Sequence, residues 1–354
     1  MRVQMHAPDP DPMIGRTILE FRIEMKLAEG GMGAVYLGRH VLLSSKLKVI
    51  KLLLPKYAAN PVVRARFYRE AEAASRLKHE RILEIDNFGA LDDGQLFIIF
   101  PYLQGQPLDS YLHSHGRLTP HRALYLIVQL CDALDHAHAS GIIHRDLKPA
   151  NVFLVETSSN RCAVKLLDFG IAKVVGEQVG GPKTHSGTAM GTPSYMAVEQ
   201  FEHADEATHL ADIYSLAIMI WEMVTGRLPW QHPDPAVLYH LQRTVIPPRP
   251  PESEMPPEWT EIELAALSVD PAARPESARE LVVALASVLP AVGRLWSGAE
   301  ILAHLAPCFA EKGAPIDETL RNASDVDRLG PFLWPDFDET TRAVGTLSSK
   351  IPHE

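Results

Sequence analysis

The rhythm of apolar and polar positions along this 354-residue chain changes once, near residue 100. Between Ile18 and Phe100, short apolar runs alternate with turn signals. KLKVIKLLL (46–54) and QLFIIF (95–100) have the composition of strands, and Asp92-Asp93-Gly94 marks a turn before the second. One helix interrupts this stretch. It begins at Asn60-Pro61, a capping residue followed by proline at the first helical position. Its inward stripe is Val63, Phe67, Ala74 and Leu77. From about Pro101 to Leu289 the period becomes helical. Thr119-Pro120 opens a helix whose apolar positions Leu124, Ile127, Val128, Cys131 and Leu134 recur every 3.6 residues, and Gly141 closes it. Ala211–Gly226 is apolar nearly all round, which predicts a buried central helix. The expectation is an α+β molecule, with a small β-rich lobe (16–100) carrying one helix and a larger, mainly helical lobe (101–289).

Residues 1–15, rich in Pro and Asp, read as a flexible leader, and 290–354 as a tail of unassigned role. Composition narrows the function classes. At 46% hydrophobic and 22% charged residues the balance is globular. A formal charge of −10 argues against general nucleic-acid binding, which needs excess Lys and Arg on phosphates. Three dispersed cysteines without a CxxC pair point away from a disulfide framework or zinc, and toward a reducing compartment. The 16 histidines form no HExxH frame. No signal-like or membrane-spanning run is visible, because the stretch from Leu210 to Val224 carries Asp212 and Glu222 and falls short of the ~20 residues required. A cytoplasmic, soluble protein is expected. The proline-rich Pro247–Pro257 contains a PxxP spacing, for which a connecting loop is the simpler account.

Candidate chemistry sits in four places. LAEGGMGAVYLGRH, Leu27 to His40, is a glycine-rich turn in which Gly30, Gly31 and Gly33 let backbone amides approach phosphate oxygens. A structural turn would look the same. Lys51 lies in the apolar run, and alternation puts it on one face with Val49. Glu70 falls on the inward stripe of the helix, where an unpaired carboxylate is costly. Lys51 and Glu70 could satisfy each other, or Glu70 could lie at the stripe's edge in water. The most informative segments are GIIHRDLKPANVFL (141–154) and VKLLDFGIAK (164–173). Asp146 and Asp168 are acidic groups at the ends of apolar elements, and Asn151 adds a neutral oxygen. Hard oxygens of this kind suit magnesium, which itself favours phosphates. Lys148 could neutralise charge on a transferring phosphoryl group.

Taken in order, these segments resemble a eukaryotic-type Ser/Thr protein kinase of the kind found in bacteria, over roughly residues 16–289. The resemblance implies the bilobal protein-kinase-like fold, and ATP and Mg2+ as cofactors. It implies that Gly30, Gly31 and Gly33 cover the phosphates of ATP and that Lys51, oriented by Glu70, holds the α- and β-phosphates. Asp146 would accept the proton of the substrate hydroxyl, Lys148 would stabilise the moving phosphate, and Asn151 and Asp168 would hold magnesium. Phe100 matches the guard of the adenine pocket, and Pro101, Tyr102 and Leu103 match the hinge. Leu27, Val35, Val49 and Leu154 would contribute to the pocket. Lys148 in HRDLKPAN, and GTPSYM with Thr192, resemble the Ser/Thr form, so the implied partners are proteins carrying Ser or Thr. Arg145 implies regulation by a phosphate on the activation segment, where Thr184, Ser186 and Thr188 are candidates. Asp212 would tie the catalytic loop to the buried helix, and Glu199 and Arg274 would form a buried ion pair.

The chain departs from the family pattern at Ala28, Val49 and Val198, and at Glu80 and Arg81, which replace the usual Pro-Asn after His79. None of these removes a group that performs chemistry. A pseudokinase scaffold is disfavoured because Lys51, Asp146, Asn151 and Asp168 are all present. A small-molecule phosphotransferase is disfavoured by Ala197-Val198-Glu199 and Thr192. In the tail, SGAEILAHLAPCFAEKG has amphipathic helical spacing. Thr340 and Thr341 follow acidic residues, a pattern that suits a phosphothreonine-reading partner, although a disordered tail is the simpler reading.

Overall fold

The computed structural model describes residues 11–30, 33–156, 162–169, 193–202 and 207–288. Gly31, Thr184, Ser186, Thr188, Thr192 and the whole of 290–354 lie outside the described residues. The chain divides into two compact units. The first comprises Met1–Lys78, Leu83–Leu103 and Ile171–Met190, and the second comprises His79–Ile82, Gln104–Gly170 and Gly191–Glu354.

The described part of the first unit is an antiparallel sheet of six strands, β1 (Thr17–Ile18), β2 (Phe21–Gly30), β3 (Gly33–His40), β4 (Leu47–Leu53), β5 (Asn87–Ala90) and β6 (Leu96–Pro101). Their spatial order is β1-β2-β3-β4-β6-β5. Period-2 alternation sorts the faces. Ile18, Phe21, Ile23, Tyr36, Ile50, Leu52, Phe97 and Ile99 form a core on one side, while Val49 and Lys51 are half-buried on the other. Met13 belongs to that core. Asp11 accepts from Lys26 Nζ at 2.6 Å and from the Tyr36 hydroxyl at 3.2 Å. Asp11 and Met13 therefore hold the end of the stretch read as a leader against the sheet, while Pro12, Ile14 and Gly15 are exposed. A short helix, α1 (Pro55–Ala58), precedes α2 (Pro61–Ser75). The Asn60 side chain caps α2 by accepting from Val62 N–H at 2.9 Å. Val63, Phe67, Ala71 and Ala74 are its buried face, and Glu70 is half-buried beside it.

The second unit has a small antiparallel sheet, β7 (Gly105–Pro107), β8 (Val152–Glu156) and β9 (Cys162–Leu166), in that order. The helices among its described residues are α3 (Leu108–His115), α4 (Pro120–Ala139), α5 (Val198–Glu202), α6 (Leu210–Thr225), α7 (Pro235–Thr244), α8 (Pro257–Ala266) and α9 (Ala278–Ser287). Helix α6 is the expected central helix, buried along almost its whole length. It ends where Gly226 takes a left-handed conformation (φ 74°) and donates to Glu222 O. The expected Arg274–Glu199 pair forms a two-point fork, at 2.7 and 2.8 Å, with the guanidinium fully buried. Among the described residues no helix is long and apolar enough to cross a membrane.

Candidate active site

The loop between α4 and β8 is built around a buried carboxylate. Asp212, in the first turn of α6, accepts the His144 N–H at 2.8 Å and the Arg145 N–H at 2.8 Å. His138 Nε2 donates to it at 2.7 Å. Burial pushes the Asp212 carboxyl up, but the His138 and His144 hydrogen bonds and nearby imidazoles outweigh this and hold it below the usual carboxylate range. Gln200 Nε2 binds Arg145 O at 3.0 Å from the other side. Pinned this way, Arg145 adopts φ 64°, a region that non-glycine residues enter only under constraint.

That constraint aims the residues that follow. The Asp146 N–H donates to His144 Nδ1 at 3.3 Å, which assigns the ring proton to Nε2, and Nε2 donates to Leu167 O at 2.8 Å. Leu147 is buried as the loop's apolar anchor. A single 3-10 turn, Pro149–Asn151, brings the chain back onto itself. Lys148 Nζ then meets Asp146 Oδ2 at 2.8 Å, and Asn151 Nδ2 donates to Asp146 O at 2.7 Å and to Oδ2 at 3.1 Å. Three residues singled out in the sequence thus share one network. Asp168 joins it through the backbone, since Leu167 N–H donates to Asn151 O at 2.8 Å. Asp168 itself has φ 49°, and the Phe169 ring lies 4.9 Å from that of His144. Apart from Leu19 (φ 51°), Arg145 and Asp168 are the non-glycine residues with positive φ among those described. Backbone strain is concentrated where the chemistry-bearing side chains are.

The donor set suits a hard cation. The amide nitrogen of Asn151 is engaged by Asp146, so its carboxamide oxygen is the end turned toward other ligands. With the Asp168 carboxylate it could supply the one or two oxygens that magnesium takes from a protein when phosphates complete its shell. Among the described residues no three His, Cys, Asp or Glu side chains gather to hold a metal by themselves.

In the first unit, Val35 pairs with Lys51, and Leu37 with Val49, across β3 and β4. Leu27 sits at an irregularity of β2 between Lys26 and Ala28 and is exposed. Gly33 has its own reason to be glycine, because a Cβ there would lie 1.9 Å from Leu52 O. At Gly30 a Cβ would meet nothing within 4 Å. Pro101 closes β6 opposite Lys48 and, like Leu103, is half-buried. Leu154 has no exposed surface, whereas its neighbour Phe153 is half-buried. Strand alternation, applied from Asn151 onward, carried the signal that sets these two residues on opposite faces of β8.

The model of the protein kinase domain family matches residues 21–288. The chain belongs to the protein kinase family. Its α+β, two-lobed fold is that of the protein kinases, and it falls among the eukaryotic-type serine/threonine group known from bacteria. It is 36% identical over 331 residues to the serine/threonine-protein kinase pkn3 of Myxococcus xanthus, covering 90% of this chain and 60% of that protein. It is 39% identical over 247 residues to Pkn1 of the same organism, covering 70% of this chain and 34% of that one. The chain therefore spans less than two thirds of the length of these curated relatives. The PknI kinase domain of Mycobacterium tuberculosis has the same fold, with a TM-score of 0.59 and 30% identity, over 77% of this chain and 98% of that one.

Proposed function

We propose that this kinase transfers the terminal phosphoryl group of ATP to serine or threonine hydroxyls of proteins. The observation that carries the reading is the Asp146–Lys148–Asn151 network, closed at 2.7–3.1 Å and anchored by Asp212. Asp146, held at the end of a constrained loop, orients the substrate hydroxyl and takes its proton. The hydroxyl oxygen bonds to the γ-phosphorus as the bond to the β–γ bridging oxygen breaks, and ADP leaves. Lys148 stabilises charge on the group in transit. Because such a transition state is loose, positioning and charge stabilisation carry most of the rate. Lys51, with Glu70, orients the α- and β-phosphates, and the backbone around Gly30, Gly31 and Gly33 covers them. Asn151 and Asp168 would hold magnesium, which supplies neutralisation of phosphate charge. Leu27, Val35, Val49, Pro101 and Leu103 line the adenine site. At β8 the wall falls to Phe153 rather than Leu154, since a fully buried side chain has no surface to offer a ligand.

Finer readings extend the proposal. Autophosphorylation at Thr184, Ser186 or Thr188 would order the activation segment through Arg145, whose backbone is already pinned on both sides. A phosphothreonine-reading partner at Thr340 and Thr341, a role in signalling and a cytoplasmic setting complete the proposal. The last is supported by Cys131 and Cys162, both buried and unbridged.

The test is transfer of label from γ-labelled ATP, with magnesium, to the chain and to a generic basic protein. Label on serine or threonine, absent with Asp146→Asn, is the expected result. Label that persists in that variant would overturn the role of Asp146. Mapping the labelled sites tests the activation segment, which expects phosphate between Ile171 and Met196.

A further inference from the structure

Residues His79–Ile82 belong to the second unit, although the chain on both sides, through Lys78 and from Leu83, belongs to the first. A polar cluster holds these four residues, and at its centre is Arg81, which departs from the family's pattern. Arg81 Nη1 donates to Gln129 Oε1 on α4 at 2.5 Å, and its buried Nε lies 3.4 Å from Asp132 Oδ2, an ion-pair contact without hydrogen-bond geometry. Glu80 approaches the same guanidinium at 2.9 Å. His79 Nε2 lies 3.2 Å from the Asp132 carboxylate, and the His79 ring stacks on His136 with centroids 4.8 Å apart. Burial pushes the Asp132 carboxyl up, but His79 and Arg81 more than offset it and hold it below the usual range.

The backbone of the same four residues closes the open edge of β9. Leu166 N–H donates to Arg81 O at 2.8 Å, and Ile82 forms a parallel bridge with Leu166. Lys165 Nζ donates to Ile82 O at 3.4 Å. Gln129 binds both partners, since its Oε1 also accepts from Val164 N–H at 3.1 Å. Leu166 stands two residues before Asp168. The residue between them, Leu167, is held by Asn151 O through its N–H and by His144 through its carbonyl. Asp168 has φ 49°, a backbone that persists only where its surroundings over-determine it. One side of that determination is the bonded edge at Leu166, and the guanidinium of Arg81 ties residues 79–82, which bond that edge, to α4 beside the direct Gln129–Val164 bond.

We propose that Arg81 is a positioning residue for Asp168. By clamping residues 79–82 to Gln129 and Asp132, it fixes the edge of β9 and so the carboxylate that meets the metal at the phosphates. The proposal rests on the kinase reading of Asp168 given above. An arginine suits the task, because one nitrogen can hydrogen-bond the Gln129 carboxamide while the delocalised charge faces the Asp132 carboxylate. A lysine would keep the charge and lose the second point of attachment.

The experiment uses the full chain with Arg81→Ala, Arg81→Lys, Asp132→Asn and Asp168→Asn. ADP binding is titrated with and without magnesium, and amide exchange is followed at Leu166 and Leu167. With Arg81→Ala, the magnesium needed to half-saturate the enhancement of ADP binding should rise about tenfold, the scale of lost outer-shell support at metal sites. ADP affinity without magnesium should be unchanged. Exchange at Leu166 and Leu167 should quicken by about tenfold or more as the edge opens locally. Arg81→Lys should recover part of both effects. A purely structural role would lower thermal stability and leave the magnesium requirement alone. An unchanged requirement in folded Arg81→Ala overturns the proposal. Should that variant fail to fold, Asp132→Asn removes the clamp's anion at constant volume, and a wild-type requirement there overturns it equally. Asp168→Asn separates the two levels. If it keeps the enhancement, the reading of Asp168 fails and the proposal with it. If it loses the enhancement while the Arg81 and Asp132 variants keep theirs, only the positioning role fails.

Discussion

Helices α6 and α8 each bury a carboxylate completely, and the two carboxylates have opposite surroundings. Asp212 on α6 accepts from two backbone amides and an imidazole, and its acidity is strengthened despite full burial. Glu263 on α8 is equally buried, yet neither oxygen has a hydrogen-bond partner among the described residues, and burial pushes its carboxyl well up. The difference shows that depth alone does not decide the charge of an acid. The number of donors aimed at it does. Asp212 can stay ionised and organise a loop, while Glu263 is most stable in its neutral form and costs the fold the desolvation of an unsatisfied group.

The strongest way to break this comparison is to remove the satisfied acid. Asp212→Ala leaves the His144 and Arg145 amides and His138 without their acceptor. The expected cost is about 3–5 kcal/mol of stability, typical of breaking a buried charged network, together with loss of phosphotransfer. Thermal denaturation and label transfer measure both. A variant as stable and active as the wild type would show that the carboxylate organises nothing.

Glu263→Leu sharpens the other side. Replacing an unsatisfied buried acid with an apolar side chain of similar volume should stabilise the chain by roughly 1–3 kcal/mol, or several degrees in Tm, without changing activity. A fall in Tm would mean that the carboxyl is satisfied after all.

The smallest effect is the pH dependence of that gain. The folded-state value of Glu263 lies well above its ordinary 4.5, so the folded chain holds this proton more tightly than the unfolded chain. Stability contributed by the neutral form is full below 4.5 and drains away as pH rises toward the folded value. The advantage of Glu263→Leu should therefore grow from pH 4 to pH 7. Asp212 runs the other way. Its folded value lies below its ordinary 3.8, so its contribution is present above that pH and is lost only as pH falls further. Melting curves should show the Glu263→Leu gain growing between pH 4 and 7, and the Asp212→Ala loss constant there and shrinking only below pH 3.8; a loss that shrinks above pH 4 would contradict the assignment.

Much of the site was legible in the chain itself. The alternation in β4 set Val49 and Lys51 on one face, the loop from His144 to Asn151 carried its polar residues in the family's order, and Asp212 and the Glu199–Arg274 pair take the positions expected of them. What escaped notice needed a third dimension. Arg81 looked like a neutral replacement, because its partners Gln129 and Asp132 are 48 or more positions away on α4. Glu263 drew no attention, since which face of a short helix is buried depends on what packs over it. Leu154 proved fully buried and its neighbour Phe153 half-buried, since one residue in a strand exchanges one face for the other.

The sequence by itself determined the family, the order of strands and helices, and the identity of the chemistry-bearing groups. These are carried by local period, by turn and capping residues, and by residue types at short fixed spacing. Only the tertiary structure decided which buried acids are satisfied, which residue seals the edge of β9, and why Gly33 must lack a side chain beneath Leu52 O. Each of these depends on donors, acceptors or carbonyls supplied by distant segments. Hydrogen bonding and steric exclusion act over about 3 Å of space, and distance along the chain does not report that distance.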